Sequence, residues 1–185
     1  MKKNILLVLL VAFLAITVGI SGCLNNDNNN STDNTTPDYN TNVTFSESIV
    51  QVNPIPTGFE LLVVRNATAD TIGGITDEIP GYNGAYQYNN SPTDGVYLYA
   101  FQAANNTAAA GLVQKMIDAH KEAYPVTQNV TSVKINGHDA TLLTKTGSTG
   151  AESYELAWTN GDILVVVNGP AGYDLMKIIA EASKL

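Results

Sequence analysis

The side chains of this chain that could do chemistry are few. It has two histidines, His120 and His138, and a single cysteine, Cys23. That set is too small and too scattered for a Cys/His metal cluster, so no metal is expected. His120 falls on the apolar stripe of a helical segment, where a hydrogen-bonded structural histidine is expected. His138 follows Asn136-Gly137, and Lys134 faces Asp139 across the same turn. A cross-strand ion pair and a rim histidine account for that group. Asp70, Asp77, Glu78 and Asp94 lie near glycines but lack the spacing of a calcium loop. Gly73-Gly74 lacks the Lys-Ser/Thr that would complete a phosphate-binding loop. No catalytic residue and no cofactor is expected.

Tyrosine is the one side chain concentrated locally. Tyr82, Tyr86, Tyr88, Tyr97 and Tyr99, with Phe101, offer flat apolar rings with polar tips suited to a sugar, a peptide or a partner protein. These five tyrosines form the candidate ligand or partner surface. The competing expectation is that Tyr97, Tyr99 and Phe101 make a buried sheet face. Asparagine supplies a second chemistry. Asn29, Asn30, Asn34, Asn42, Asn66, Asn89, Asn105 and Asn129 each stand two residues before Ser or Thr without an intervening Pro, the pattern of an N-glycosylation acceptor.

Cys23 has a context of its own. The chain opens Met1-Lys2-Lys3, is almost wholly apolar from Ile5 to Ile20, and then reads Ser21-Gly22-Cys23. The apolar run is shorter than the roughly 20 residues a spanning helix needs, so a secretory signal fits better than a permanent span. Small residues at Ser21 and Gly22 suit extended entry into a peptidase site. Ile20-Ser21-Gly22-Cys23 resembles a lipobox, the cleavage and lipid-attachment signal of prokaryotic lipoproteins. Residues 1–22 are then the signal peptide, and Cys23 carries the lipid. Without Lys2 and Lys3, seven basic residues face seventeen acidic ones, a charge of −10. Such a surface repels nucleic acid and anionic headgroups, which excludes both as partners of the folded part.

Residues 23–44 then form an Asn/Thr-rich tether with almost nothing apolar, too polar to offset the entropy of ordering. As a random coil of ~20 residues it would reach roughly 25 Å. The remaining residues, 45–185, suffice for one domain with its own core.

The elements of that domain follow from periodicity and turn residues. Asn136-Gly137 predicts a hairpin between strands at 130–135 and 138–144. Asn160-Gly161 predicts a second, between 152–159 and 162–168, opposing Trp158 to Ile163, Leu156 to Val165 and Tyr154 to Val167. Those six residues make one apolar face, while Ala157, Leu164, Glu155 and Val166 make a mixed one. Leu175, Ile178, Ile179, Ala182 and Leu185 predict a closing helix. In the first half, strands are predicted at 59–64, 85–88 and 95–103, and a helix at 107–124 ended by Pro125. Ile72, Ile75 and Ile79 have helical spacing that Gly73-Gly74 weakens. The expected fold is α+β: an antiparallel β-sheet with helices packed on one face in two layers, each half reading as strands followed by a helix, as in a diverged duplication.

The signal, the tether and the ending Tyr154-Glu-Leu-Ala-Trp158-Thr-Asn-Gly-Asp-Ile-Leu-Val-Val-Val-Asn168 with its Leu175-containing helix resemble small uncharacterised lipoproteins of methanogenic archaea. The resemblance implies a lipid-anchored protein facing outside the cytoplasm, with the membrane as partner through Cys23, and carries no activity. The expected function is a non-enzymatic binding or interaction module displayed at the cell surface, taking an envelope protein or a small ligand. The alternative is an envelope hydrolase with an atypical site near His138 and nearby acids, although no G-x-S-x-G turn is present.

Overall fold

The computed structural model describes residues 44–126 and 128–185. The expected signal peptide, Cys23, nearly all of the expected tether and the candidate acceptors Asn29, Asn30, Asn34 and Asn42 lie outside the described residues. A 3-10 turn at Glu47–Val50 leads into β1 (Phe59–Thr68), followed by a short 3-10 turn (Ala69–Thr71), β2 (Pro80–Tyr88) and β3 (Gly95–Gln102). Helix α1 (Asn106–Ala123) crosses to β4 (Gln128–Ile135), β5 (His138–Thr146), β6 (Glu152–Asn160) and β7 (Ile163–Asn168), and α2 (Tyr173–Ala182) closes the fold. All strands join one antiparallel sheet in the order β1-β2-β3-β7-β6-β5-β4. The α+β class, with an antiparallel sheet and helices packed on it, is as the sequence predicts.

The two hairpin turns behave differently. At β4–β5, Asn136 (φ 49°) and Gly137 (φ 82°) both take positive φ, and Ile135 opposes His138, as expected. Lys134 and Asp139 form their ion pair at 2.7 Å, both side chains well exposed. At β6–β7 the register is displaced by two residues from the predicted one. Asn160 stays in the strand opposite Ile163, so Trp158 opposes Val165, Leu156 opposes Val167 and Glu155 opposes Asn168. The reason is local: the loop is Gly161-Asp162, with positive φ (62°) on Gly161 at the first loop position, where II′-type turns place glycine. A displacement of two keeps every side chain on its predicted face.

Strand β7 is buried from Ile163 to Val167 because both its faces are covered. Ile163, Val165 and Val167 join Leu156, Trp158, Leu98, Met176 and Ile179 in a core under α2. Leu164 and Val166 join Ala157, Phe101, Leu143, Leu112 and Met116 in a second core under α1. The sequence analysis expects both helices on one face, whereas the packing divides them between the two faces. A two-fold axis relating the halves through the β3–β7 pair would put both helices on one face, so the duplication expectation is not supported by this packing.

Two helical expectations are adjusted. The buried stripe of α2 is Met176, Ile179 and Ala180, while Ile178 is 40% exposed and Leu185 lies beyond the helix, its side chain buried in the core. Ile72 and Ile75 are buried under α1 from an irregular loop rather than from a helix. Gly74 is the cause: its φ is +86°, and a Cβ there would fall 2.9 Å from the Lys115 carbonyl, so this loop lies against the backbone of α1. Asn105 caps α1, accepting the Ala108 N–H at 2.9 Å.

Candidate functional site

The α1 face of strands β5, β6 and β7 builds a polar site from register alone. Leu143, Glu155 and Asn168 stand in one row across the three strands, and Lys145 and Ser153 in the next. Lys145 and Glu155 are therefore diagonal neighbours on one face, with backbones roughly 7–8 Å apart. Over them lie the last turns of α1, with Met116, His120 and Tyr124, and the loop at Gly73-Gly74. The space between them is a half-open cavity of about 400 Å³.

Each polar group here has a defined partner. Asn168 Nδ2 donates to Glu155 Oε1 at 3.2 Å. Lys145 Nζ donates to the Tyr124 hydroxyl oxygen at 3.0 Å and lies 4.7 Å from the centre of the same ring. His120 Nε2 is 3.1 Å from the Thr144 carbonyl, which can only accept, so Nε2 carries the proton. Its ring tilts against Tyr124 at 5.4 Å. The expected structural role of His120 agrees with this placement.

Burial pushes the Glu155 carboxyl above the ordinary 4.5, opposed by the Asn168 hydrogen bond and the Lys145 charge. A carboxyl raised in the folded state binds more protons there than in the unfolded chain. Its contribution to stability is thus complete below about 4.5 and is lost as pH rises through the raised value. Glu155→Gln should abolish that loss. Denaturant titrations from pH 4 to 8 should give a stability difference between wild type and variant that grows in the variant's favour with pH; a constant difference would refute the burial account.

The five candidate tyrosines do not share one surface. Tyr86 is 1% exposed, and Tyr82 and Tyr88 pack on Phe45 and Phe59 at 5.4 and 5.0 Å, all on the α2 side of the sheet. Tyr97 and Tyr99 point to the α1 side, with Tyr99 stacked on Phe101 at 5.9 Å. Alternation along β2 and β3 separates the two sets, and none of the five is fully exposed. Tyr99 lies near the cavity: burial raises its phenol, with Arg65 opposing and Glu155 adding to the rise.

His138 lies at the opposite end of β5 from Lys145. Burial lowers its imidazole below 6.5, against a hydrogen bond to the Thr159 backbone. Among the described residues no group of three or more His, Cys, Asp and Glu is placed to hold a metal ion. The candidate acceptors Asn66, Asn89, Asn105 and Asn129 are all exposed, with Asn66 and Asn129 on the two edge strands, β1 and β4.

Sequence reasoning missed Glu155, Lys145 and Asn168 as a group. The available signal was a carboxylate and an amide on inward-facing positions of adjacent strands, and the two-residue displacement at Gly161 hid that they oppose each other. No family model matches the chain, and comparison with curated proteins and with solved structures likewise gives no match.

Proposed function

We propose that this chain is a lipid-anchored extracytoplasmic protein that displays a non-enzymatic binding domain at the cell surface, with the α1-side cavity as its ligand site. The observation that carries the reading is a 400 Å³ cavity, within the range of small-molecule sites, lined by Glu155, Asn168, Lys145 and Tyr124 above an apolar wall. Binding rather than turnover suits these groups: His120 Nε2 and Lys145 are engaged with Thr144 and Tyr124. No nucleophile hydrogen-bonded to a base is formed among the side chains that line the cavity. The anchor rests on Cys23 and its lipobox-like context. Among the described residues no helix is long and apolar enough to cross a membrane.

Both halves of the proposal can be measured in one preparation. Cys23→Ser should move the protein from the membrane fraction to the soluble one. Native mass spectrometry of the full chain from its own host should reveal a bound small molecule. Ala119→Trp, which fills the cavity beside His120, should remove that mass while circular dichroism stays unchanged. Protein that carries no ligand, or a ligand that survives Ala119→Trp, would overturn the binding site. Retention of Cys23→Ser in the membrane fraction would overturn the anchor.

A further inference from the structure

Glu155 and Lys145 pose an unsolved electrostatic problem. Both line one half-open cavity, and both are near enough for the Lys145 charge to favour the ionised Glu155 carboxyl. Yet neither belongs to an ion pair: among the described residues those pairs are Lys115–Asp77, Lys134–Asp139 and Lys177–Glu181. Two opposite charges on neighbouring positions of one sheet face thus line the same cavity without closing on each other. The hydrogen bonds explain the separation. Asn168 holds the carboxyl from β7, and Tyr124 holds the ammonium from the end of α1.

The charge at each end is of one sign, and hydrogen-bonding capacity of the matching kind is left beside it. At the Glu155 end, Asn168 uses its Nδ2, leaving its Oδ1 as an acceptor. Glu155 Oε1 receives that bond, and no fully enclosed side-chain oxygen or nitrogen among the described residues lacks a partner. Glu155 Oε2 therefore faces accessible space. At the Lys145 end, Nζ has further protons, and the Tyr124 oxygen accepts from Lys145, so its own proton is left to donate. One end offers acceptors and negative charge, the other donors and positive charge. Met116, Leu143 and Ala119 supply an apolar wall beside them.

We infer that the cavity holds a zwitterionic α-amino acid with an aliphatic side chain, its ammonium on Glu155 and Asn168, its carboxylate on Lys145 and Tyr124, and its side chain against Met116 and Leu143. This rests on the reading of the cavity as a ligand site. A zwitterion satisfies both ends at once, whereas a ligand with one charge leaves the other half-buried group uncompensated. A neutral polyol can hydrogen-bond to both ends but compensates neither charge.

The test is isothermal titration of the ligand-stripped full chain in detergent at pH 7 with glycine, L-alanine, L-valine and L-leucine. The same cell is then titrated with L-leucine methyl ester, 4-methylpentanoate and glucose. An aliphatic amino acid should bind more tightly than glycine, and each single-charge analogue about ten- to a hundredfold more weakly than L-leucine. Glu155→Gln should weaken L-leucine by a similar factor but leave 4-methylpentanoate, which has no ammonium, almost unchanged. Lys145→Met should do the same for the methyl ester, which has no carboxylate. A fold check by circular dichroism accompanies each variant, and the analogue unaffected by that variant serves as an internal control. Tighter binding of glucose or of a one-charge analogue than of any amino acid would overturn the zwitterion while leaving the site. Absence of binding by every probe would overturn the zwitterion. The site itself falls if protein from the host is also bare, or if its ligand survives Ala119→Trp.

Discussion

Tyr86→Phe is expected to lower the stability of the folded domain by about 2–4 kcal/mol, for the loss of one oxygen atom. That hydroxyl links the sheet to two backbone groups of the segment that precedes β1. It accepts the Val52 N–H at 2.8 Å and donates to the Val50 carbonyl at 2.5 Å. Val50 and Val52 are themselves buried, so water cannot replace the phenol without opening the core. Each orphaned buried group costs about 1–3 kcal/mol, far more than the net value of an average hydrogen bond. Gly84→Ala attacks the same contact from the other side, because its Cβ would lie 2.4 Å from the Val50 carbonyl. Urea denaturation of both variants gives the magnitude, and hydrogen exchange at the Val52 amide gives the location. If Tyr86→Phe leaves both unchanged, the segment is not held by this hydroxyl.

Tyr86 also marks the limit of what was legible in the sequence. A tyrosine among other tyrosines reads as a binding surface because composition carries no information about which face of a strand meets a second layer. Here residues 45–52 cover the face that Tyr82, Tyr86 and Tyr88 share, and nothing in their own periodicity announces a covering segment. Local signals did better. Asn136-Gly137 set the β4–β5 register to the residue, including the Lys134–Asp139 pair, since both turn positions need positive φ and only one placement provides it. Asn160-Gly161-Asp162 allows two placements, since one glycine can occupy either loop position, and the other one is adopted. That ambiguity moved Glu155 from opposite Val166 to opposite Asn168 and concealed the polar row at the candidate site.

The faces taken by the helices were illegible for a related reason. Five consecutive buried residues in β7 say that both faces are covered but not by which element. The choice is made by the direction in which the chain leaves β3 and β7. After β3 it enters the Asn105 cap on the Phe101 side, and after β7 it turns at Gly169-Pro170 toward the Val165 side. Those exits depend on loop conformations that no hydrophobic pattern records.

Trp158→Ala should be the most damaging single substitution in the domain, costing about 3–5 kcal/mol. Trp158 is 1% exposed and heads the largest fully buried side chains, packed in the core that α2 covers. Its loss removes the transfer energy of the ring and leaves a cavity whose walls are held by the sheet and cannot collapse fully. The indole also makes a polar contact, in which Nε1–H donates to the Leu185 carbonyl at 3.1 Å while the Leu185 side chain is buried in the same core. Trp158→Phe separates the two contributions, keeping an aromatic ring but orphaning the carbonyl, and should cost about 1–3 kcal/mol. Leu185→Ala probes the partner, and the Trp158/Leu185 double variant should fall short of additivity because each change already loosens the other's contacts. Far-ultraviolet circular dichroism is the measurement for all four proteins, since Trp158 is the only tryptophan and its fluorescence disappears with it. Equal costs for Phe and Ala would mean that the hydrogen bond, not the ring volume, locks the segment after α2. Full additivity would mean that Leu185 is held independently of the indole, and that α2 is fixed to the sheet by Met176 and Ile179 alone.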